Sequence, residues 1–312
     1  MHRTRTHFAA RINHVATGLE RRGIRATYEL HDRFLSNRRS RRSFERDRPE
    51  LEDVQQGILA ALEKDGYAVV AFRDLFPAED WQEIEPHGAR FVRDTEAGLA
   101  SGDMGSVRVR EGKEFVVRLL SYGVELGLDD PWFRVCASRR MLDIANTYIG
   151  LWSKLEYVDM WYSVPQAEDA ERVASQRWHR DFNDKRLLKA FLYLVDVDQS
   201  MGPFEYVPGS TGHGPYASVW PWKPLGDNYP SQAEFAERVP DASVQTFTAP
   251  KGTLIFCDTS GFHRGGLTTT NPRVLATVTY SSPASLASLS ERSFRFTGSV
   301  EKLDAPTRYA LT

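Results

Sequence analysis

The sequence is poor in cysteine and contains no long hydrophobic run. Only two cysteines, Cys136 and Cys257, occur among 312 residues, which excludes the disulfide framework on which small secreted proteins depend. No stretch approaches the roughly 20 apolar residues that a membrane-spanning helix needs, and no apolar secretory segment is recognisable. These absences predict a protein of the reducing cytoplasm that has no membrane partner.

The chain also lacks an excess of either charge. Its 40 basic and 42 acidic residues leave a net charge of −2, so no general attraction to nucleic acid is expected. The distribution is nevertheless uneven, because residues 3–48 contain 13 arginines and five acids. We predict that residues 1–48 form a basic, solvated and partly disordered arm. The alternative is a patch that steers an anionic substrate or partner toward the protein.

Residues 49–150 have a helical pattern and are predicted to pack on the core as an N-terminal part. Apolar residues recur at helical spacing over 51–65, and Gly66 is suited to end that helix. A strand is predicted at 67–72, and further helices at 77–84 and 131–150.

After residue 150 the sequence changes to short segments rich in Val, Tyr, Phe and Thr, separated by turn residues. This pattern predicts a mainly β fold with flanking helices, whose core is a jelly roll, the cupin-like double-stranded β-helix. The core is placed at 151–285, with an insertion at 209–243 that contains a short helix at 231–239, and 286–312 form a C-terminal tail. The predicted strands are 155–164, 174–180, 188–195, 203–207, 244–249, 252–257, 262–268 and 273–281.

Four residues of this half suggest a metal site. His179 and Asp181 are two positions apart, so on a strand both side chains point to the same side. His263 follows 84 positions later, between glycines that allow close approach. Two imidazoles and one carboxylate form a facial ligand set that leaves coordination positions open, as in non-haem Fe(II) oxygenases. Arg273 follows a tight turn, and its guanidinium matches a carboxylate in bidentate geometry.

Simpler interpretations exist for each residue alone. A single His-x-Asp occurs by chance in many proteins, and a buried histidine is more often a hydrogen-bonded core residue than a ligand. The combination with His263 and Arg273, each at the end of a predicted strand, favours the metal site. His213 lies in a glycine-flanked loop and is either a loop residue or a group close to the substrate.

The order of several motifs resembles the phytanoyl-CoA dioxygenase family, over roughly residues 50–285. The motifs that carry the resemblance are residues 176–181, 191–197, 202–210 and 251–256, followed by His263 and Arg273. The resemblance implies a double-stranded β-helix that uses Fe(II), 2-oxoglutarate and O2, with succinate and CO2 as by-products. It further implies that His179, Asp181 and His263 ligate the iron and that Arg273 binds 2-oxoglutarate.

The chain departs from the family pattern at two positions. Thr211 stands where the family often has histidine, and Leu275 stands where it often has a hydroxyl residue two places after the arginine. The second departure removes one expected hydrogen bond to 2-oxoglutarate. Lys189, at the start of the third strand of the core, is predicted to supply a compensating charge to the cosubstrate. The alternative for Lys189 is a strand-end side chain that extends into water.

The reaction expected from these features is the hydroxylation of an unactivated C–H bond in a small molecule. Related halogenases have a small residue in place of the carboxylate ligand, so Asp181 favours hydroxylation, desaturation or cyclisation. The substrate class left open includes anionic molecules and natural-product intermediates, and the sequence does not indicate an oligomeric state. The alternatives are a cupin-like metalloenzyme that does not use 2-oxoglutarate, a non-catalytic jelly-roll binding module, and a protein-modifying oxygenase that docks through its basic arm.

Overall fold

The structure of the chain is a computed structural model that describes residues 22–102, 108–109, 113–118, 124–212, 214–224, 229–286 and 294–312. The helices in this part of the chain are α1 (22–33), α2 (Ser36–Arg46), α3 (Asp53–Asp65), α4 (Phe72–Leu75), α5 (Ala78–Ser101), α6 (Pro131–Cys136), α7 (Arg139–Ile149), α8 (Gln232–Arg238) and α9 (Ala305–Leu311). The strands are β1 (Tyr67–Ala71), β2 (Arg108–Val109), β3 (Val116–Arg118), β4 (Val124–Leu126), β5 (Lys154–Ser163), β6 (Leu188–Tyr193), β7 (Phe204–Tyr206), β8 (Gln245–Phe247), β9 (Thr253–Cys257), β10 (His263–Gly265), β11 (Arg273–Ser281) and β12 (Phe294–Phe296).

Two antiparallel sheets face each other and form the core of the molecule. The larger sheet has the strand order β1-β9-β6-β11-β5-β3-β2, and the smaller has the order β10-β7-β8. Side chains of both sheets pack together between them, among them Phe191 and Leu275 of the larger sheet and Phe204 and Phe247 of the smaller. The fold is therefore mainly β with flanking helices, and its core is the predicted double-stranded β-helix.

Alternation along the central strands separates two packing layers. On β11, Val274, Ala276 and Val278 join the cluster that includes the helices, while Arg273 and Leu275 line a cavity between the sheets. Because successive side chains of a strand point to opposite faces, the helices cover one face of the larger sheet. The other face of the larger sheet borders the cavity.

Helix α3 covers the outer face of the larger sheet. Glu52 and Gln55 form a capping box at its N-terminus, with the Glu52 amide donating to Gln55 Oε1 at 2.8 Å. Gly66 ends the helix in the left-handed conformation, φ 84°, as its position in the sequence predicts. Ile58 and Leu62 are each 1% exposed, so the helix buries a narrow apolar stripe against the sheet.

The basic arm is folded over residues 22–46 rather than solvated. Tyr28 of α1 and Ser40 of α2 are completely buried, and Ser40 Oγ donates to the carbonyl of Trp152 at 2.5 Å. The arginines of α2 remain on its exposed face. Composition alone could not predict this result, because the polar residues that anchor the arm find their partners in the core. Residues 1–21 lie outside the described residues.

Several predicted elements differ from those observed. Residues 174–180 do not form a strand, because Ala174–Gln176 is a 3-10 turn in which Gln176 Oε1 accepts from the Val173 amide at 3.2 Å. This local bond competes with strand pairing. The predicted helix 131–150 is divided into α6 and α7, because the Ser138 hydroxyl caps a new helix by accepting from the Met141 amide at 3.2 Å.

The predicted helix 77–84 is much longer in the structure, and the C-terminal tail is folded. Helix α5 continues to Ser101 and ends at Gly102, φ 77°. In the tail, β12 pairs in parallel with β4, and α9 buries Leu311, which is 7% exposed. Among the described helices, none is long and apolar enough to cross a membrane.

Candidate functional site

The two candidate histidine ligands are paired through their backbones. The His179 amide donates to the His263 carbonyl at 3.1 Å, and the His263 amide donates to the His179 carbonyl at 3.0 Å. This isolated bridge joins the segment before Asp181 to the first residue of β10. Asp181 is held by its own amide, which donates to the Thr259 carbonyl at 2.8 Å. Residues far apart in sequence are thus fixed by main-chain hydrogen bonds.

The three candidate ligands converge on one point. One ligand atom from each of His179, Asp181 and His263 lies within 4.8 Å of the other two. His179 Nε2 is 3.9 Å from Asp181 Oδ1, and His263 Nε2 is 3.8 Å from Asp181 Oδ2. Both imidazoles are about 95% buried, each with 5% exposure. The arrangement has the size and composition of a facial metal site.

Both imidazoles present an unprotonated nitrogen to this point. His179 Nδ1 lies 2.8 Å from the Arg177 carbonyl, and His263 Nδ1 lies 3.0 Å from the Gly261 carbonyl. A carbonyl only accepts hydrogen bonds, so each Nδ1 must carry the proton and each Nε2 keeps its lone pair. Burial lowers the pKa of His179, and burial together with the neighbouring His179 lowers the pKa of His263 to about 3. Neutral imidazole is the metal-binding form.

Asp181 remains charged despite its burial. Burial raises the pKa of this carboxyl, but the adjacent Lys189 ammonium outweighs that effect and holds the pKa well below its ordinary value. Lys189 Nζ lies 2.5 Å from Asp181 Oδ2. The residues present therefore fit a divalent cation, because they offer two neutral nitrogens and one carboxylate in a buried place.

Arg273 carries a buried charge that has no ion pair among the described residues. One of its terminal nitrogens donates to the Gly202 carbonyl, and the other is 3.3 Å from Ser163 Oγ. Its Nε is buried without a hydrogen-bond partner, and burial lowers the pKa of the guanidinium. A buried charge without a counterion is costly, so this side chain is suited to receive an anionic ligand.

Gly265 packs against Arg273 and lies on the same strand as the candidate ligand His263. An added Cβ at Gly265 would lie 3.1 Å from Arg273 Nη2, so the guanidinium packs directly against this backbone. Gly265 is two positions after His263 on β10, hence on the same face and about 7 Å away. A short dicarboxylate can span that distance, with one end at Arg273 and the other beside the histidines.

Lys189 lies at the opposite end of the site from Arg273. It pairs with Thr279 of β11, six positions beyond Arg273 on the same strand, or roughly 20 Å along the strand direction. Its ammonium is placed against Asp181 and lines the cavity. The two cations therefore lie on opposite sides of the three candidate ligands. They are not placed to bind the same carboxylate of a cosubstrate.

A cavity of about 270 Å³ adjoins the candidate ligands. Its walls combine aromatic side chains with Glu156 and Asn183, and with Lys113 and Arg118 from the segment before β5. Arg118 is neutralised by Asp159, since its Nε lies 2.7 Å from Asp159 Oδ2. The cavity is partly closed and chemically mixed, as binding sites for small molecules usually are. The aromatic residues of its lining are Phe115, Tyr157, Trp161, Phe182, Phe191, Phe204 and Tyr229.

Arg180 is a buried residue whose importance the sequence did not indicate. It is only 2% exposed. Its guanidinium donates to the carbonyls of Ser210, Ser260, Tyr216, Val219 and Trp220 at 2.7–3.2 Å. Arg180 thus fastens the insertion to the loop before His263. Only the tertiary structure brings these carbonyls together, so no sequence signal could have shown the role.

The insertion also reaches the site directly. Trp222 Nε1 donates to the Asp181 carbonyl at 2.7 Å. The Tyr229 ring stacks on the His179 imidazole, with centroids 5.0 Å apart and an angle of 8°. Both contacts hold a candidate ligand from the side of the insertion. The length of the insertion was the only hint in the sequence.

A β-bulge turns Glu156 toward the cavity. Thr279 pairs with Tyr157 and Tyr280 with Leu155, so Glu156 is the extra residue of the bulge on β5. Both Glu156 and Tyr157 line the cavity as a result. Burial raises the pKa of the Glu156 carboxyl, which accepts hydrogen bonds from Asn183 at 2.6 Å and Ser285 at 2.9 Å.

The remaining sequence candidates have mixed outcomes. Leu275, which replaces the expected hydroxyl residue, lines the cavity, while Ser163 places a hydroxyl beside Arg273 from the neighbouring strand. Ser163 was not anticipated, because strand register decides it. His213 lies outside the described residues.

Comparison with known proteins gives one family. The model of the family described as phytanoyl-CoA dioxygenase (PhyH) matches residues 62–274, which include His179, Asp181, His263 and Arg273. The search of curated proteins found no match.

Solved structures show distant likenesses. AviO1 from Streptomyces viridochromogenes Tue57 is 17% identical, with a TM-score of 0.49 over 76% of this chain and 98% of its own. The apoform of EctD from S. alaskensis is 20% identical, with a TM-score of 0.48 over 74% and 77%. The epimerase SnoN, in complex with Fe3+, alpha ketoglutarate and nogalamycin RO, is 21% identical, with a TM-score of 0.47 over 73% and 84%.

Proposed function

The chain belongs to the phytanoyl-CoA dioxygenase family, and we propose that it hydroxylates an unactivated C–H bond of a small molecule. As a member of this family it is a non-haem Fe(II)- and 2-oxoglutarate-dependent dioxygenase. The convergence of two neutral imidazoles and one carboxylate beside a buried, unpaired guanidinium is the observation that carries the proposal.

In the proposed site, His179, Asp181 and His263 hold the iron. The support for this assignment is that Nδ1 of each ring faces a backbone carbonyl oxygen, which leaves Nε2 of each ring to bind the metal. These three protein ligands would leave coordination positions open for 2-oxoglutarate and O2. When bound, Fe(II) and 2-oxoglutarate together supply the activation of O2, with release of succinate and CO2.

Arg273 and Lys189 are proposed to bind the cosubstrate at different ends. Arg273 is placed to hold the distal carboxylate, and Ser163 Oγ, 3.3 Å from its Nη2, can donate to the same group. Lys189 contacts Asp181 in the structure, so its proposed role is at the metal end of the ligand. A cation there would balance the negative charge that a carboxylate ligand and a keto acid bring together.

The surrounding residues orient the reacting groups and exclude water. Arg180 holds the insertion against the loop before His263, and Tyr229 covers one face of the His179 ring. Aromatic walls remove water from the cavity and fix the target carbon by shape. The chain thus contributes positioning and a dry environment for an oxidation that the cofactors supply.

The cavity favours a compact polar molecule as the substrate. Its volume of about 270 Å³ is at the small end for ligand sites, and Glu156 and Asn183 offer hydrogen-bonding groups beside aromatic walls. A natural-product intermediate fits this description. Among the described residues, none of the arm at 22–48 lines the cavity, so the proposed substrate contacts come from other parts of the chain.

The proposal is tested by adding Fe(II) and 2-oxoglutarate to the protein without oxygen. We expect the visible charge-transfer absorption of a chelated keto acid in the wild type and in His87→Ala, a control histidine on α5. His179→Ala should lose it because one of the three ligands is missing. In air, succinate release is measured across a panel of small polar molecules. Equal succinate from the wild type and His179→Ala for every compound would sink the proposal.

Arg273→Met separates this function from that of a metalloenzyme that ignores 2-oxoglutarate. We expect metal affinity to remain while 2-oxoglutarate binding weakens about a hundredfold, because a buried charge-assisted pair is lost. Metal binding without any 2-oxoglutarate binding in the wild type would favour the cupin-like alternative.

A further inference from the structure

The segment that carries Asp181 is held from outside by the N-terminal helices. Tyr28 of α1 is completely buried, and its hydroxyl donates to Asp184 Oδ1 at 2.7 Å. The same hydroxyl accepts from the Lys185 amide at 3.2 Å. Residues 182–187 contain no helix or strand. The Leu286 amide donates to the Asn183 carbonyl at 2.8 Å, and side-chain contacts hold the residues that follow.

A second set of contacts joins the same loop to the end of β11 through the arm. Asp32 is 3% exposed and forms an ion pair with Lys185. Asn37 Nδ2 donates to Asp32 Oδ1 at 2.8 Å and to Ser282 Oγ at 3.0 Å. Asp184 Oδ2 in turn accepts from the Ser282 amide at 2.8 Å. The loop and the strand end are therefore tied together by buried polar groups of the arm.

The arm also supports the insertion where it touches the site. The Tyr28 ring packs on Trp222 with centroids 5.5 Å apart, and Trp222 Nε1 donates to the Asp181 carbonyl at 2.7 Å. Arg25 Nε donates to the Pro224 carbonyl at 2.9 Å. Tyr28 thus contacts both structures that border Asp181, namely the loop that follows it and the insertion that covers it.

We propose that Tyr28, Asp32 and Asn37, here named the N-terminal clamp, position Asp181 and the cavity wall formed by Phe182 and Asn183. Tyr28 is the central positioning residue of the clamp. The clamp lies outside the family match at 62–274. The inference rests on the proposed function, because it assigns the clamp to the metal and cosubstrate site.

A small displacement of a metal ligand is enough to change the affinity for the metal. A metal ligand must be held within a few tenths of an ångström of its place, and loops without ladder hydrogen bonds are the easiest parts of a fold to displace. Polar contacts that orient ligands typically change metal affinity about 10- to 100-fold when removed. Tyr28 acts one step further away, so a smaller effect is expected.

The test compares two buried aromatic residues of the N-terminal helices in the full-length protein, Tyr28 in the clamp and Phe44 outside it. Tyr28→Ala removes the contacts to Asp184 and Trp222. Phe44→Ala removes a buried ring of α2 whose cation–π partner is Arg48, and it serves as the matched control. Tyr28→Phe keeps the ring and deletes only the hydroxyl. Co(II) and 2-oxoglutarate are titrated separately into each protein, and thermal unfolding is measured without ligands.

We expect Tyr28→Ala to weaken Co(II) binding about tenfold and Tyr28→Phe about threefold, with an altered visible spectrum of the bound Co(II). Phe44→Ala should lower the melting temperature as Tyr28→Ala does and leave Co(II) affinity and spectrum unchanged. Wild-type Co(II) affinity in Tyr28→Ala, or an equal loss in Phe44→Ala, would overturn the clamp. If the wild type itself bound neither Co(II) nor 2-oxoglutarate, the proposed function would fail instead.

Discussion

At the scale of single residues, the lack of a side chain at Gly265 matters to the site as much as the side chains that are present. The Arg273 guanidinium lies against Gly265, where an added Cβ would approach Nη2 to 3.1 Å. That distance is shorter than ordinary van der Waals contact, so a methyl group there must move the guanidinium or the strand. Gly265 therefore controls the position of the arginine without touching a ligand.

We expect Gly265→Ala to weaken 2-oxoglutarate binding about tenfold, because the guanidinium shifts by part of an ångström from its ligand. Metal affinity should stay within about twofold of the wild type, since the three metal ligands are unaffected. Isothermal titration with Mn(II), then with 2-oxoglutarate, measures both. Gly57→Ala is the control, because Gly57 has open space around it on α3 and alanine there stabilises the helix by up to about 1 kcal/mol. Unchanged 2-oxoglutarate affinity in Gly265→Ala would contradict the expectation.

The sequence was informative about these residues where chemistry alone identifies them. His179, Asp181, His263 and Arg273 were selected by residue type and spacing, and the structure brings the first three together with the arginine nearby. His179 and Asp181 were predicted to point to the same side because a strand was expected at 174–180. The observed segment instead makes a single bridge at His179. Arg180 was not selected, because its five carbonyl partners lie on segments that only the folded chain assembles.

At the scale of elements, the bulge in β5 and the long insertion shape the site. The bulge directs Glu156 into the cavity beside Tyr157, and the insertion is fastened by Arg180. Neither device follows from strand periodicity. A bulge is one extra residue in a β-ladder. The conformation of an insertion is determined by its tertiary contacts. The strand at 273–281 was predicted with the observed bounds because its apolar and β-branched run is buried on both faces.

Glu156→Gln should change how stability depends on pH. Burial raises the carboxyl pKa above its ordinary value of 4.5 in the folded protein, so the folded state holds the proton more tightly than the unfolded state. The wild type therefore loses stability as the pH rises from about 4.5 through the folded pKa, and glutamine, which does not titrate, removes that loss. Melting temperatures from about pH 4 to pH 8 should show the variant gaining on the wild type as pH rises. Parallel curves would contradict this.

Arg180→Met should destabilise the protein by about 3–5 kcal/mol, because it leaves two buried and three partly buried carbonyls without their donor. Arg180→Lys should be nearly as costly, since an ammonium cannot reproduce the planar fork. Urea unfolding measures both changes. Arg186→Met is the matched control, because that side chain is 40% exposed and forms a surface ion pair with Glu63, for which about 1 kcal/mol or less is expected. A destabilisation of about 1 kcal/mol or less in Arg180→Met would refute the role of Arg180.

At the scale of the whole molecule, two sheets share the site between them. The larger sheet provides Arg273 and Lys189, the smaller provides His263, and Asp181 comes from the loop between them. The class of the fold could be predicted, because alternating apolar residues and turns are local signals. The course of the basic arm could not, because Tyr28, Asp32 and Asn37 are anchored by residues more than 150 positions away.

A ligand shared by both sheets should stabilise the entire fold. We expect Mn(II) at a hundredfold excess over its dissociation constant to add about 2.7 kcal/mol to the free energy of unfolding, and 2-oxoglutarate at the same excess to add about 2.7 kcal/mol more. The measurement is thermal unfolding with and without the two ligands. His263→Ala should show no such gain, because its site lacks the ligand from the smaller sheet. An equal gain in that variant would show that the ions bind elsewhere.

The backbone bridge between His179 and His263 has a consequence for the time course of folding. An ion held by both side chains is a removable crosslink that closes a loop of 84 positions. Such a closure is entropically expensive and must precede capture of the ion by both rings. Mn(II) should therefore slow unfolding and leave the refolding rate unchanged, which stopped-flow experiments in denaturant can measure. If Mn(II) accelerated refolding, the two sheets would have to meet at this bridge before the rate-limiting step.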